Sequence, residues 1–273
     1  MSGASTKQAV LSQYPTPCWL AERIVERYFP DLDDSDVVLD PTAGRGHFLA
    51  AVPAHIPAFG VELDPEEAAL GRRLSGREII VGDVRDVEIT LQPTLILGNP
   101  PFKTTMLDVV LERAHGWLPE GGRVGLILPA FMFQTAGRVV RYASRWSMRQ
   151  EMIPRNVYQR LRHHLCFALF SKDRRRTMVG FAFYRETDAI DRLGPAYREL
   201  LRTAGNGGVW RRVVTEALAR LGGEAPLQVL YHEIEGRRPT KNPFWRDKIR
   251  QVAQEHCVRV GRGRYALPMR EAA

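Results

Sequence analysis

The segment VVLDPTAGRG, residues 37–46, is an apolar run that ends in a glycine-rich turn. It predicts a buried strand that turns tightly into a helix, with Asp40 at the turn. Gly44 and Gly46 have no Cβ, so the backbone there can approach a ligand that another residue would exclude. A lone Gly-x-Gly pattern is weak evidence, and its meaning depends on the strands that follow.

Three further strand-like runs each end in a polar side chain. The run 58–63 ends at Glu62, with Asp64 just beyond it, and the run 78–83 ends at Asp83. The run 94–98 leads directly into Asn99-Pro100-Pro101-Phe102. Because ligands of open α/β sheets bind at the carboxyl ends of the strands, four such ends in succession predict one shared binding crevice.

The spacing of these runs predicts the fold class. Strands are expected at 37–41, 58–63, 78–83, 94–98 and 123–128, with helical patterns between them. This alternation is typical of an α/β, doubly wound parallel sheet. Two later apolar runs, 165–170 and 178–184, flank the polar turn 172–176 and are expected to be antiparallel strands at one edge of the sheet, with their pairing left open.

The NPPF segment suits a planar amine. The side-chain oxygen of Asn99 and a carbonyl freed by the prolines can accept the amine protons, while Phe102 can stack on the attached ring. The alternative interpretation gives the segment no function and has the prolines only end a strand. The acids at the three earlier strand ends favour the functional interpretation.

These motifs together resemble the class I S-adenosylmethionine-dependent methyltransferases, over roughly residues 14–186. Within that family, the motif order is similar to the gamma-like amino-methyltransferases that modify the exocyclic N6 of adenine in DNA. Phe102 stands where a Tyr is frequent in that group, so stacking is retained and the phenol hydroxyl is lost. The resemblance implies a Rossmann-like methyltransferase sheet and S-adenosylmethionine as the cofactor.

The resemblance also implies roles for individual residues. The DPTAGRG loop is similar to the loop that holds the methionine moiety, Glu62 to the acid that binds ribose, with Asp64 the competing candidate, and Asp83 to the acid that holds the cofactor's adenine. Tyr14-Pro15-Thr16-Pro17 resembles a segment that closes over the cofactor. The implied cofactor-binding residues are Thr16, Asp40, Pro41, Ala43, Gly44, Gly46, Glu62, Asp83, Val84 and Asn99; the implied catalytic residues are Asn99, Pro100, Pro101 and Phe102.

The implied function is site-specific methylation of adenine N6 in double-stranded DNA, by direct transfer to an adenine flipped out of the duplex. Two alternatives stay open. One is methylation of RNA adenine or of a protein glutamine amide, because an Asn-Pro-Pro-aromatic motif also serves those amines. The other is a DNA-binding regulator without catalysis. The recognition sequence and the oligomeric state are not deducible.

Charge is distributed unevenly along the 273 residues. Residues 191–273 hold sixteen Lys and Arg against nine Asp and Glu, a net charge of +7 out of +8 for the chain. This asymmetry favours a polyanionic partner for the last third, and double-stranded DNA is the expected one. We therefore expect a methyltransferase domain at 1–190 and a basic DNA-binding domain at 191–273.

The second domain is expected to be winged-helix-like. Helices are predicted over 209–221, 226–234 and 244–255, the last with Asn242 as N-cap and Pro243 as its first residue, followed by a basic hairpin at 257–267. The predicted DNA contacts are Lys103 in the first domain and, in the second, Lys241, Arg246, Lys248, Arg250, Arg259, Arg262 and Arg264.

Other features exclude function classes or stay ambiguous. No apolar run approaches a membrane span, and the three cysteines form neither a disulfide framework nor a metal site, so a cytoplasmic protein, nucleoid-associated or phage-encoded, is expected. Pro17-Cys18 is interpreted as a helix start rather than a nucleophile, and His163-His164 lack metal-ligand spacing. The run 128–133 is either core or a wall of the base pocket. Arg174-Arg175-Arg176 is either a solvated turn or a set of phosphate contacts.

Overall fold

A computed structural model describes residues 15–158, 163–192, 194–195, 197–199, 209–238 and 243–268, apart from the side chains of residues 186 and 189. The chain divides into two compact units, Met1–Ala182 and Phe183–Ala273. The division lies before the predicted boundary at 190, so the helix Tyr184–Asp191 belongs to the second unit. No described helix is long and apolar enough to cross a membrane.

The first unit alternates strands and helices. Its strands are β1 Val38–Asp40, β2 Ala58–Glu62, β3 Glu78–Val81, β4 Leu95–Gly98, β5 Arg123–Pro129, β6 Ser147–Ile153, β7 Leu165–Ser171 and β8 Met178–Val179. Its helices are α1 Cys18–Tyr28, α2 His47–Ala51, α3 Pro65–Ser75, α4 Thr104–Trp117 and α5 Ala136–Ala143, with 3-10 turns at Ala130–Phe133 and Arg155–Val157.

The strands form one sheet in the order β3-β2-β1-β4-β5-β7-β6-β8. The first five are parallel, as predicted, and β7 runs antiparallel to both β5 and β6. The strands β1 and β4 are buried along their whole length, which explains their continuous apolar runs. The order reverses between β1 and β4, so the carboxyl ends of these two strands flank a topological switch point.

The edge of this sheet differs from the prediction in two strands. Residues 147–153 form β6, the hydrogen-bonded partner of β7, although no strand was predicted there. Its sequence, SMRQEMI, has charged and polar side chains that tertiary contacts accommodate: Glu151 accepts hydrogen bonds from Tyr28 and Arg27 on α1. The run 178–184 is a strand only at Met178–Val179, and this short strand pairs in parallel with β6.

The polar turn 172–176 lies at the end of the sheet where the parallel strands begin, opposite their carboxyl ends. Ser171, which precedes it, pairs with Arg123 at the beginning of β5. Lys172 donates from Nζ to the carbonyls of His115 and Leu118 at the end of α4. This lysine therefore caps a helix, and the arginines beside it are remote from the crevice.

The second unit contains α6 Tyr184–Asp191, α7 Val209–Arg220, β9 Glu224–Pro226, α8 Leu227–Glu235, α9 Trp245–His256, β10 Val258–Gly261 and β11 Arg264–Ala266. The three strands pair antiparallel in the order β10-β11-β9. A separate core of apolar side chains from α7, α8 and α9 supports them. The predicted helices and basic hairpin are present among these elements.

The beginning of α9 differs from the prediction. The helix begins at Trp245, with Phe244 in the capping position, and Pro243 lies in the turn before it. Asn242, the predicted cap, lies outside the described residues. Trp245 is buried in the core of this unit, and that packing sets where the helix starts instead of the Asn-Pro signal.

Candidate active site

A cavity of about 470 Å³ opens at the carboxyl ends of the parallel strands in the first unit. The loops after β1, β2, β3 and β4 all contribute to its walls, together with Pro15 and Thr16 from the amino-terminal segment. The predicted site residues that line it are Thr16, Asp40, Pro41, Ala43, Gly44, Glu62, Asp83, Val84, Asn99 and Pro101. Four loops that are far apart in sequence therefore meet at one crevice.

Three predicted site residues do not line this cavity. Gly46 is in the capping position of α2 with a φ of 71°, and a Cβ there would lie 3.1 Å from the Gly71 carbonyl oxygen. It therefore allows α2 and α3 to pack closely. Pro100 is buried, and Phe102 packs against the core cluster that contains α1.

Glu62 connects the first two loops. One oxygen of its carboxylate accepts the Gly44 N–H at 2.7 Å, and the other accepts the Asp64 N–H at 2.9 Å. Its side chain is buried, with 6 % exposure. A carboxylate offers about four acceptor sites, so both bonds leave capacity for a ligand hydroxyl.

Asp64 caps a helix, a role that was not predicted for it. It is the N-cap of α3, and its Oδ1 accepts the backbone N–H of Glu66 at 2.9 Å. Such caps stabilise helices by about 1 kcal/mol. Asp64 also lines the cavity, but this bond directs its carboxylate towards the helix start, which favours Glu62 as the acid available to a ligand.

Asp40 is a buried carboxyl group in the wall of the cavity. Its Oδ1 accepts the Thr42 N–H at 3.0 Å, and a Cβ at Gly98 on the adjacent strand would lie 2.9 Å from that same oxygen. Burial, together with the charge of Glu62, raises the pKa of Asp40 to about 8, although the hydrogen bond from Thr42 opposes the shift. Asp40 is therefore largely protonated at neutral pH.

Asp83 has the opposite electrostatic environment. The Arg85 guanidinium donates from Nε to both of its oxygens, at 2.9 and 3.0 Å, and from Nη2 as well. This side-chain hydrogen bonding lowers the pKa of Asp83. Arg85 also lines the cavity and was not among the predicted site residues; any ligand amine at Asp83 would share the carboxylate with this arginine.

Asn99 is anchored by the amino-terminal segment. Its Nδ2 donates to the Thr16 hydroxyl at 3.2 Å, and Thr16 is itself buried, with 5 % exposure. Burial raises the pKa of the Tyr158 hydroxyl to about 12, and the neighbouring Thr16 side chain opposes that shift. Thr16 thus lies between the NPPF asparagine and a tyrosine from a distant part of the chain. Tyr14, the other predicted member of this segment, lies outside the described residues.

The overall charge of the cavity is acidic. Its walls include six acidic residues against two arginines, although Asp40, whose pKa is raised, adds little negative charge at neutral pH; the six are Asp40, Glu62, Asp64, Glu66, Glu67 and Asp83. Each arginine is already paired with one of these acids, Arg45 with Glu67 at 2.9 Å and Arg85 with Asp83. The site therefore favours a ligand that carries positive charge.

Aromatic side chains follow the carboxyl end of β5, in the 3-10 turn Ala130–Phe133. Met132 and Phe133 are buried and belong to the core, which resolves one alternative for the run 128–133. Phe131 is 36 % exposed, and its ring lies 5.2 Å from that of His163. Among the described residues, no group of three or more His, Cys, Asp or Glu is arranged to hold a metal ion.

Most of the predicted DNA contacts in the second unit have partners within that unit. Arg246 pairs with Glu235 at 3.6 Å, Arg250 with Asp247 at 3.5 Å and Arg264 with Glu224 at 2.8 Å. Lys248 donates to Gln251, Arg259 makes a long 3.4 Å bond to the Gly261 carbonyl, and Arg262 is exposed in the hairpin turn. Lys103 of the first unit is exposed before α4, and Lys241 lies outside the described residues.

Comparison with known proteins identifies the fold. No family model matches the sequence. An 81-residue stretch is 38 % identical to the type II methyltransferase M.CvrRI of Paramecium bursaria Chlorella virus XZ-6E, covering 28 % of this chain and 21 % of that protein. The chain thus spans about a fifth of the length of this curated relative.

Solved structures share the architecture of the first unit. The M protein of the type I restriction enzyme EcoKI superposes with a TM-score of 0.50 and 18 % identity, over 62 % of this chain and 46 % of that one. A class I S-adenosylmethionine-dependent methyltransferase of Listeria monocytogenes covers 65 % of this chain with a TM-score of 0.47 and 14 % identity. The first unit has a Rossmann-like, doubly wound α/β fold, as predicted, and the EcoKI M protein shares this fold.

Proposed function

We propose that this protein is an S-adenosylmethionine-dependent methyltransferase that acts on adenine N6 in double-stranded DNA. The observation that carries the proposal is the position of Asn99, which lines the same cavity as Asp40, Glu62 and Asp83. The similarity of one stretch to a type II methyltransferase supports methyl transfer and a DNA substrate. A soluble, cytoplasmic protein is part of the same proposal.

The residues present fit S-adenosylmethionine. The cavity volume lies within the range of about 300–1,000 Å³ that small-molecule sites occupy. Its acidic walls suit a ligand with a sulfonium and an ammonium group. Glu62 would hold the ribose hydroxyls, Asp83 the adenine amine, and the loop 40–44 the methionine part. When bound, the cofactor supplies a methyl group on a positively charged sulfur.

The task of the NPPF segment is to prepare the target amine. The lone pair of an exocyclic adenine nitrogen is delocalised into the ring, which makes it a poor nucleophile. The Asn99 side-chain oxygen and the Pro100 carbonyl would accept its two protons and favour the pyramidal form. Holding the amine in line with its methyl donor would supply much of the remaining acceleration.

An adenine within a duplex must leave the stack to reach the cavity. Phe102 was expected to stack on it, but in this structure its ring packs against the core cluster. Stacking by Phe102 would therefore require its ring to turn towards the crevice. Phe131, exposed beside His163 after the carboxyl end of β5, would offer a second aromatic wall.

The second unit would bind the DNA. From α7 onward its order is helix, strand, two helices and a two-stranded hairpin, which is consistent with the proposed winged-helix domain; α9 would be the groove-facing helix and β10–β11 the wing. The paired arginines would have to exchange their acidic partners for phosphates. DNA binding by this unit is accordingly a separate proposal from the chemistry of the first.

The decisive experiment is incorporation of a tritiated methyl group from S-adenosylmethionine into DNA, RNA and protein substrates in parallel. Label in DNA, placed on adenine by single-molecule sequencing, supports the proposal. Label in RNA or in a release-factor or ribosomal protein would instead favour the related N-methyltransferases. DNA binding without label in any substrate would favour a regulator.

Asn99→Ala tests the role of the NPPF segment directly. We expect methylation to fall by at least about 100-fold, because removing one preorganised hydrogen-bonding group has an effect of that size. Binding of S-adenosylhomocysteine, measured by calorimetry, should change little. Unchanged turnover in this variant would remove Asn99 from the mechanism.

A further inference from the structure

Trp245, the first residue of α9, anchors two arginines. Its ring is buried, with 6 % exposure of the residue. The guanidinium carbon of Arg238, which lies between α8 and α9, is 5.1 Å from the centre of this ring, and that of Arg246 is also 5.1 Å from it. Arg246 lies 5.9 Å from the ring of Tyr231 as well. These two cations therefore have fixed positions at one end of α9.

Stacking fixes an arginine without consuming its hydrogen-bonding edge. A guanidinium on an aromatic face keeps its N–H groups directed outward in the plane, where a phosphate can meet them. Arg238 uses its Nε for the Glu235 carbonyl, at 3.1 Å, which fixes the side chain further. Because each guanidinium already contacts the Trp245 ring, binding an anion would cost less rotamer entropy than at an arginine without such a contact.

The ion pair of Arg246 is weak enough to be replaced. It joins Arg246 and Glu235 at 3.6 Å, and their side chains are 58 % and 55 % exposed. Exposed pairs of this kind contribute about 0–1 kcal/mol. Arg264 differs from Arg246 in the strength of its pairing. Its Nε donates to Glu224 at 2.8 Å, so the Glu224 carboxylate occupies the edge of the guanidinium that a phosphate would need.

The spacing of the two cations suits a polyanion. Both lie 5.1 Å from one ring centre, so they are at most about 10 Å apart. Duplex DNA has one phosphate charge per roughly 1.7 Å of its axis with both strands counted, so two cations within about 10 Å of each other can both be contacted by its phosphates. The net charge of +7 over residues 191–273 would draw the same partner to this unit.

We propose that Arg238 and Arg246, held on Trp245, form a binding surface for the phosphate backbone of duplex DNA. The choice of DNA rests on the proposed function, whereas the affinity for a phosphate backbone rests on the geometry of the two arginines. Arg238 was not among the residues that the sequence indicated. Such contacts position a protein on the duplex and do not read its sequence.

The test measures binding of the full chain, without a methyl donor, to two fluorescent duplexes of unrelated sequence over a range of salt concentrations. Arg238→Gln and Arg246→Gln should each weaken binding equally for both duplexes. Each should also lower the slope of log affinity against log salt by about 1, because one fewer counterion is released.

Arg220→Gln is the matched control. Arg220 also stacks on a buried aromatic ring of this unit, that of Tyr197 at 4.7 Å, and pairs with Glu216 at 3.2 Å. Its removal deletes the same charge but leaves both arginines on Trp245 in place, so a wild-type slope is expected if those two make the phosphate contacts. An equal loss in Arg220→Gln would mean that only net charge matters, and it would overturn the proposal.

Lysine variants show whether the affinity for DNA depends on the stacked guanidinium or only on its positive charge. Arg238→Lys and Arg246→Lys should keep the wild-type slope but bind several-fold more weakly, because lysine lacks the planar fork. Wild-type affinity in both would overturn the role of Trp245. Tighter binding of the wild type to an RNA duplex than to DNA would overturn the choice of partner.

These outcomes are distinguishable from failure of the proposed function. A wild-type protein that methylates adenine while both glutamine variants keep its salt slope retains the function and refutes the surface. A protein that never transfers a methyl group, but shows the arginine-dependent slopes, refutes the function and supports the surface. Thermal unfolding of each variant checks that its fold is intact.

Discussion

The carboxyl group of Asp40 titrates far from its ordinary range because the fold buries it at the end of β1. Its pKa is about 8 in the folded state and near 3.8 when the chain is unfolded. The folded state therefore holds a proton that the unfolded state releases between these values. The contribution of Asp40 to stability is fully present below pH 4 and is lost as pH rises towards 8.

Asp40→Asn removes this dependence, because an amide does not titrate. We expect the free energy of unfolding of the variant, relative to wild type, to increase steadily from pH 5 to pH 8, by a few kcal/mol at most, since one pKa unit corresponds to about 1.4 kcal/mol. Urea denaturation at several pH values measures the difference. A difference that is the same at every pH would show that Asp40 is ionised in the folded protein.

Thr16 contributes to the site through Asn99. Thr16→Val keeps the shape of the side chain but leaves the Asn99 amide without this acceptor, and a lost partner of this kind costs about 1–3 kcal/mol. We expect lower stability and a lower rate of methylation, with the KM for DNA little changed.

Two controls define the Thr16 experiment. Thr16→Ser retains the hydroxyl and should recover most of the rate. In the double variant Thr16→Val with Asn99→Ala, the loss of stability should be smaller than the sum of the two single losses. Strictly additive losses would show that the two side chains act independently.

The packing of α2 against α3 places the glycine-rich loop at the cavity. Gly46 and Gly76 both have positive φ, 71° and 66°, but only at Gly46 does an added Cβ meet neighbouring atoms, the Gly71 carbonyl oxygen and the Ser75 side chain. Alanine at either position would be strained by the left-handed backbone conformation, which costs about 1–2 kcal/mol of stability. At Gly46 the added Cβ would also clash with atoms of α3.

Gly46→Ala should therefore lower the free energy of unfolding by more than Gly76→Ala does, and it should also weaken binding of S-adenosylhomocysteine. Chemical denaturation and calorimetry on the two variants compare these effects. If the two substitutions cost the same stability, close packing at Gly46 is not required.

The division of charge between the two units is a property of the whole molecule. Nearly all of the net positive charge belongs to residues 191–273, whereas the cavity in the first unit is acidic. Raising salt from about 50 to 200 mM should therefore raise the KM for DNA steeply and change binding of S-adenosylhomocysteine much less. Steady-state kinetics and calorimetry at matched salt concentrations test this contrast; equal salt effects on both would contradict it.

Local patterns were sufficient for much of the fold. The runs that become β1 to β5 are buried in a parallel sheet, so their apolar character is continuous and easily detected. β6 was missed because it lies near the sheet edge, where its middle residues are polar, and Glu151 accepts hydrogen bonds from Tyr28 and Arg27. The start of α9 was misplaced because burial of Trp245 outweighed a capping signal.

The sequence by itself determined which residues would reach the crevice, because the carboxyl ends of successive parallel strands meet at one edge of a sheet. Asp40, Glu62, Asp83 and Asn99 could be named in advance for that reason. Only the tertiary structure decided what each side chain touches there: Arg85 on Asp83, Thr16 on Asn99, and the core against Phe102. Partners of this kind depend on distances between atoms, and strand periodicity carries no information about them.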